Sequence, residues 1–303
     1  MSSTDTTARL DTGFASAFAA LCVAAVAMGI SPIFVRFAAA DVGPFSSAFW
    51  RVALALPVLY AWLRLEDGKA GLAARPSFSR ATVLAGAAFA GDLFFWHLSI
   101  INTTVANATF FATTAPVFVV LIAWLLLRRR VSRGTLAGLA LCCLGGVSLI
   151  GQSLGVDPAR IVGDVYGVAT AVFFAIYFLA VERAREGGGA ARVTFELTLI
   201  TAAILLVVAL LLDDRILPRT REGVAALIAM AWISHAGGQG LLSIALGRLP
   251  AVFSSLVIFL EAVAAAAFGW IILGERLTTV QVLGGALILA GIWLARPRAR
   301  SAP

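Results

Sequence analysis

The sequence is short of charge. Only 13% of its 303 residues are Asp, Glu, Lys or Arg, where a soluble domain carries about a quarter. With 61% hydrophobic residues and a mean hydropathy of +0.97, the chain cannot cover itself with polar surface. A water-soluble globule is excluded, and lipid is the expected solvent. Cysteine is scarce too: Cys22, Cys142 and Cys143 all fall inside apolar runs, and the adjacent pair lacks ligand spacing. A disulfide framework, a redox motif and a zinc site are therefore set aside, and no metal or cofactor is expected. HExxH, GxSxG, the P-loop and the glycine-rich dinucleotide fingerprint are missing, so ATP-driven pumping by this chain is not expected and no catalytic constellation stands out. Gly91-Asp92 invites comparison with intramembrane aspartyl proteases, but that chemistry needs two carboxylates sharing a site. The only partner in prospect is Asp164, at a helix edge without a supporting motif. Lysine occurs once, at Lys69, so the net charge of +7 rests on arginine. Those arginines sit in short loops between apolar runs, the bias of a membrane protein rather than a nucleic-acid-binding face.

What is present is a succession of long Leu- and Ala-rich runs. A spanning helix needs roughly 20 mainly apolar residues, and the absence of period-two alternation excludes a barrel. We read spans at about 14–39, 45–63, 81–101, 105–127, 134–150, 162–181, 193–212, 224–246, 251–273 and 280–295. Residues 1–13 read as a disordered polar tail and 297–303 as a second tail, both cytoplasmic. Ala38-Ala39-Ala40 resembles a signal cleavage site. The run before it is too long and contains Ser31, Pro32 and Arg36, so it reads as a true span. With the N-terminus inside, the inner segments hold 16 Lys and Arg and the outer segments 6. That ratio predicts ten helices with both termini in the cytoplasm.

The two halves repeat. WLLLRRRVSRGTLAGLALCCLGG, from Trp124, aligns without gaps on WIILGERLTTVQVLGGALILAGI, from Trp270, at an offset of 146. Trp124 meets Trp270, Arg130 meets Arg276, Gly138 meets Gly284 and Gly145 meets Gly291. Five helices is an odd number, so the second copy enters the membrane inverted. The boundaries expected are 14–152 for the first repeat and 162–296 for the second.

LGERLTTVQVLGGALILAGIWL, from Leu273, resembles the end of an EamA-type domain of the drug/metabolite transporter superfamily. VFSSLVIFLEAVAAAAFGWIIL looks like that domain's penultimate helix. TTVANATFFATTAPVFVVLIAWLLL fits the matching place in the first half, with Pro116 where the family favours proline. FWRVAL, from Phe49, resembles its second helix, with Arg51 at the family's arginine. The likeness covers nearly the whole chain, with one departure. The first copy reads Leu127-Arg128-Arg129-Arg130 instead of Leu-Gly-Glu-Arg, as a cytoplasmic loop favours arginine, and Glu275 is accordingly not taken as a site. The resemblance implies an all-α integral membrane protein of two inverted five-helix repeats around a central cavity. Helices one to four and six to nine would line it, with five and ten peripheral. It also implies a small-molecule substrate moved by alternating access. Export of amino acids, aromatic ones in particular, is the leading expectation. A sugar-phosphate, nucleotide-sugar or drug carrier is the alternative, and a lipid-processing membrane enzyme the rival of another class. A bacterial inner membrane, protons as a candidate coupling ion, and a monomer or homodimer complete the expectation.

Charges inside spans cost roughly 2.5–3.5 kcal/mol each on insertion scales, so those present should face the bundle interior. Arg51, Asp92 and Glu261 are the three, and a structural ion pair from Arg51 to one carboxylate is the plain reading. Asp92 and Trp96 share a helical face with Ser99, and His97 lies beside it. Trp232, His235, Gln239 and Ser243 form a comparable stripe on the eighth span. Asn107 shares a face with Phe111 and Thr114, and Tyr177 sits mid-span among Phe173 and Phe174. Together these would line a largely aromatic cavity with a few hydrogen-bonding groups, although each could equally join packed helices. His97 and His235 could also carry a proton. Gly138, Gly145, Gly284 and Gly291 are read as helix-packing positions, and Pro32 and Pro57 as kinks.

Overall fold

The computed structural model describes residues 3–38, 41–70, 78–103, 105–150, 160–274 and 276–297, with backbone alone for 3–12, 69–70, 105–107, 150 and 273. Asn107's side chain, Glu275 and residues 298–303 thus lie outside the described residues. Among the described residues every regular element is helical. Eight helical stretches are long and apolar enough to cross a membrane: Gly13–Ala38, Pro44–Gly68, Arg80–Asn102, Ala108–Leu125, Ile161–Arg185, Ala190–Leu212, Arg221–Leu246 and Ala251–Ile272. Two shorter apolar helices, Arg133–Leu149 and Thr279–Ala295, complete the bundle. The first helix starts at Ser3, upstream of the apolar run, as a helix already nucleated in that run propagates at little cost.

Several stretches are broken in mid-course. α1 (Ser3–Gly29) gives way to α2 (Ser31–Ala38), and α3 (Pro44–Ala53) to α4 (Leu56–Ala70). α5 (Arg80–Asn102) is continuous; α6 (Val105–Thr113) then passes to α7 (Ala115–Leu125). Pro32, Pro57 and Pro116 explain these breaks. Each lacks the N–H that would bond the carbonyl four residues back and clashes with it, freeing Met28, Ala53 and Ala112. The backbone tightens beside them, with Ala55 N donating to Val52 O at 3.2 Å and Thr114 N to Phe111 O at 3.0 Å. A fourth break, at Ile258 between α13 (Ala251–Val257) and α14 (Phe259–Leu273), has no proline. There Ser255 Oγ bonds Val252 O at 3.0 Å, a side-chain competitor for the helical ladder. Between α11 (Arg221–Ala229) and α12 (Gly240–Leu246), residues Met230–Gln239 form a π-helix, a widened turn typical of functional sites.

α8 (Arg133–Ile150) and α15 (Thr279–Ala295) pack antiparallel through their glycines. A Cβ at Gly138 would lie 2.5 Å from Gly291 O, and one at Gly145 2.5 Å from Gly284 O, so the packing reading of these glycines holds. Midway, Cys142 Sγ donates to Ile288 O at 3.6 Å.

α9 (Ile161–Arg185) lies antiparallel along α5, with Ser99 Oγ donating to Gly163 O at 2.8 Å and Gly91 seated against the Phe173 ring. α10 (Ala190–Leu212) is pinned to the second stretch at both ends. At one end, Asp213 Oδ2 accepts from Ser46 N at 2.5 Å, in the first turn of α3. Asp41 Oδ2 reciprocates by accepting from Arg219 N, Thr220 N and Thr220 Oγ1, just before α11. At the other end, Glu66 accepts from Ala190 N and Ala191 N at the start of α10, and Arg192 Nη2 bonds both oxygens of Asp67 at 2.9 Å. Carboxylates at helix N-termini satisfy free N–H groups and oppose the helix dipole.

Candidate functional site

Three of the four breaks and the π-helix border one cavity of about 60 Å³, room for a few waters. Met28, Ser31 and Pro32 reach it from the first stretch; Thr109, Ala112 and Thr113 do so from the end of α6, and Ile258 from the fourth break. Discontinuous backbone at membrane depth is tolerated where it lines a cavity, and it leaves polar groups free to meet a ligand.

Arg51 on α3, Asp92 on α5 and Glu261 on α14 all line this cavity. Each carboxylate acts electrostatically on the guanidinium. Among the described residues, however, no ion pair within 4.0 Å joins Arg51 to either. The expected structural ion pair is therefore replaced by three charges spaced around a void. Among the described residues, Arg51 Nε, Ser31 Oγ and Thr170 Oγ1 find no hydrogen-bond partner, although these residues are only 6%, 3% and 1% exposed. Buried polar groups are otherwise almost always bonded.

The remaining wall is apolar. Trp96, Leu93, Phe89 and Phe174 line it, with Gln239 from the π-helix. Tyr177 sits behind them, its hydroxyl donating to Gln239 Oε1 at 2.8 Å and its ring stacked on Phe174 at 5.7 Å. It holds the wall rather than lining it.

Of the residues singled out in the sequence, Asp92, Trp96, Gln239, Arg51 and Glu261 thus meet at one place. The others do not. His97 donates from Nδ1 to Leu93 O at 2.7 Å and stands edge-on to Trp96. His235 is fully buried against Thr198 Oγ1, at 2.9 Å from Nε2. Trp232 is 54% exposed on the outer surface, and its Nε1 donates to Leu54 O, in the break between α3 and α4. Ser243 lies at one end of the bundle, where its carbonyl accepts from Arg185 Nε at 2.9 Å. Asp164 accepts from Thr103 Oγ1 and does not line the cavity, so it gives Asp92 no catalytic partner. Sequence reading missed Ser31, Thr109, Thr113, Thr170 and Phe89. The prolines were the available signal, since Ser31 and Thr113 flank two of the three breaks they cause. Among the described residues no group of three or more His, Cys, Asp or Glu could hold a metal ion.

A model of the EamA-like transporter family matches the chain twice, over residues 15–151 and 161–296. An uncharacterized transporter of Archaeoglobus fulgidus is 26% identical over 275 residues, covering 86% of this chain and 91% of its own. A second from that organism is 28% identical over 284 residues, with 91% and 95% covered. An uncharacterized transporter of Helicobacter pylori is 27% identical over 290 residues, with 91% and 93% covered. A protein crystal structure with 19% sequence identity superposes at a TM-score of 0.82, covering 95% of this chain and 100% of the other; this shows shared fold.

Proposed function

The chain belongs to the EamA-like transporter family, and from that premise we propose that it is a secondary transporter exporting small metabolites, amino acids above all, by alternating access across a bacterial cytoplasmic membrane. The observation that carries the reading is the cavity itself. One guanidinium, two carboxylates and an aromatic wall meet where the helices break, the composition of a small-molecule site. A zwitterion with an aromatic or apolar side chain matches that set. A phosphorylated substrate fits less well, because among the described residues Arg51 is the single cationic side chain lining the cavity and phosphate recognition favours several.

Ten membrane crossings follow if α8 and α15 are counted with the eight longer stretches. Support for inversion comes from contacts that exchange under the repeat. Gly138 touches Gly291 and Gly145 touches Gly284, whereas the sequence offset of 146 equates Gly138 with Gly284 and Gly145 with Gly291. Cys142 touches Ile288, its own equivalent. A contact set in which i meets j′ and j meets i′ is what a two-fold axis produces. Between antiparallel helices that axis lies across them, in the membrane plane. Trp124 and Trp270, equivalent in the repeat, are both more than half exposed. Under inversion they anchor opposite membrane interfaces.

About 60 Å³ leaves room for a few waters, and in this reading alternating access parts the walls to load an amino acid. The test is counterflow. Purified protein in liposomes preloaded with an unlabelled amino acid should accumulate the labelled one without ATP, measured with and without a pH gradient to read proton coupling. Folded protein that moves no amino acid or related metabolite, yet modifies a lipid, would reverse the assignment.

A further inference from the structure

Four exposed arginines crowd the turn between α7 and α8: Arg128, Arg129, Arg130 and Arg133. No Asp or Glu occurs in residues 105–150 or 277–303, so neither these helices nor α15 offers them a counter-charge. Arg129 reaches one elsewhere, Glu182 near the end of α9. Among the described residues Arg128, Arg130 and Arg133 make no ion pair. Arg296 stands at the same corner, because the first turn of α8 meets the last turn of α15, where a Cβ on Gly134 would lie 3.3 Å from Leu294 O. The backbone makes this turn unusual. Arg128 has φ 52°, in the left-handed region, where a Cβ crowds the carbonyl and glycine is favoured. Its equivalent in the repeat, 146 positions on, is Gly274 at φ 69°. Both copies thus make the same turn, and the first makes it on a strained arginine. Loop charge that orients the chain in the membrane is already supplied by the three neighbouring arginines, so it does not account for arginine at 128. An apolar flank adjoins the cluster. Leu125 and Leu126 just before it, Leu136 one turn after Arg133 and Trp293 one turn before Arg296 are between 47% and 75% exposed.

We infer that this corner binds an anionic phospholipid of the surrounding bilayer, its phosphate held by Arg128, Arg130 and Arg133 and its acyl chains laid along the leucines and Trp293. Guanidinium groups pair phosphate oxygens in a fork, and arginine at a membrane surface attracts acidic headgroups. None of these residues lines the central cavity, so the site stands whether or not the chain moves amino acids. Thermal melts of the purified full-length protein in neutral detergent, titrated with dioleoylphosphatidylglycerol or dioleoylphosphatidylcholine, test this. The anionic lipid should raise Tm saturably and the choline lipid should not. Arg130→Gln and Arg133→Gln should each raise the concentration at half-saturation about fivefold. Arg128→Gly separates binding from folding. Glycine relieves the strained turn, so the lipid-free Tm should hold or rise, while half-saturation again shifts about fivefold. An arginine with only a structural role would move the first reading and not the second. Arg221→Gln, exposed at the other end of the bundle beside Thr220 and Asp41, removes the same charge and should leave the titration unchanged. Equal stabilisation by the choline lipid would overturn the inference. So would a titration unmoved by Arg128→Gly, an equal shift in Arg221→Gln, or the same stabilisation from glycerol phosphate, which has no acyl chains.

Discussion

Alanine at Gly145 tests the packing of α8 against α15. A Cβ there would stand 2.5 Å from Gly284 O and 2.9 Å from Ile288 N, both backbone atoms that cannot swing aside. Ordinary contact begins near 3.4 Å, so the helices must separate by about 1 Å. That separation loosens the Gly138–Gly291 contact and the Cys142–Ile288 bond on the same seam. Overpacking of this kind costs roughly 1–3 kcal/mol. Alanine's helix propensity offsets up to about 1 kcal/mol of that. The neighbouring glycine is the control: a Cβ at Gly146 would come no nearer than 3.4 Å to any other group, there a Phe259 ring carbon. The same contrast recurs across the seam, where Gly284 is tight against Gly145 O at 2.7 Å and Gly285 has 3.8 Å to Val263. In detergent, Gly145→Ala and Gly284→Ala should each lower Tm by about 5 °C, as a loss near 2 kcal/mol implies. Gly146→Ala and Gly285→Ala should leave it within about a degree or raise it. The double variant Gly145→Ala/Gly284→Ala should fall short of the sum, because one separation relieves both clashes. Equal melting of Gly145→Ala and Gly146→Ala would refute the close-contact account.

Three further outcomes are expected. The backbone N–H of Thr220, helped by that of Arg219 and by the Thr220 hydroxyl, holds the Asp41 carboxyl below its ordinary value of 3.8. Its contribution is therefore complete above about pH 5 and lost as pH falls through the depressed value. Asp41→Asn should melt lower than the parent at pH 7, with the gap closing towards pH 3 in a thermal-shift series; a gap constant with pH would refute this. Trp96→Ala should weaken transport of large apolar substrates more than small ones. Trp232→Ala, on the outer surface, should lower Tm with selectivity intact, and counterflow competition panels on both variants check the contrast. In a cysteine-free background, Arg129→Cys and Arg298→Cys should resist an impermeant thiol reagent in intact cells while Thr278→Cys labels. Labelling at position 298 would refute cytoplasmic termini.

Composition and pattern alone determined the solvent, the helical class, the first two places where helices break and the internal repeat. These are local or additive properties: an apolar run needs lipid wherever it lies, and proline disrupts the ladder in any surroundings. The glycine stripes at 138, 145, 284 and 291 were legible for the same reason, since small residues seven apart mark one helix face. Only the tertiary structure decided which polar faces meet. The stripe from Trp232 to Ser243 assumed a turn of 3.6 residues, but residues 230–239 wind as a π-helix. The wider turn fans that stripe out, sending Trp232 to the surface, His235 to Thr198, Gln239 to the cavity and Ser243 to the end of the bundle. In the same way the break after Thr113 carries Thr113, rather than Thr114, to the cavity. Arg51, Asp92 and Glu261 stand on three helices separated by up to 210 positions. Whether they pair or surround a void depends on how those helices pack, a long-range outcome that no local spacing encodes.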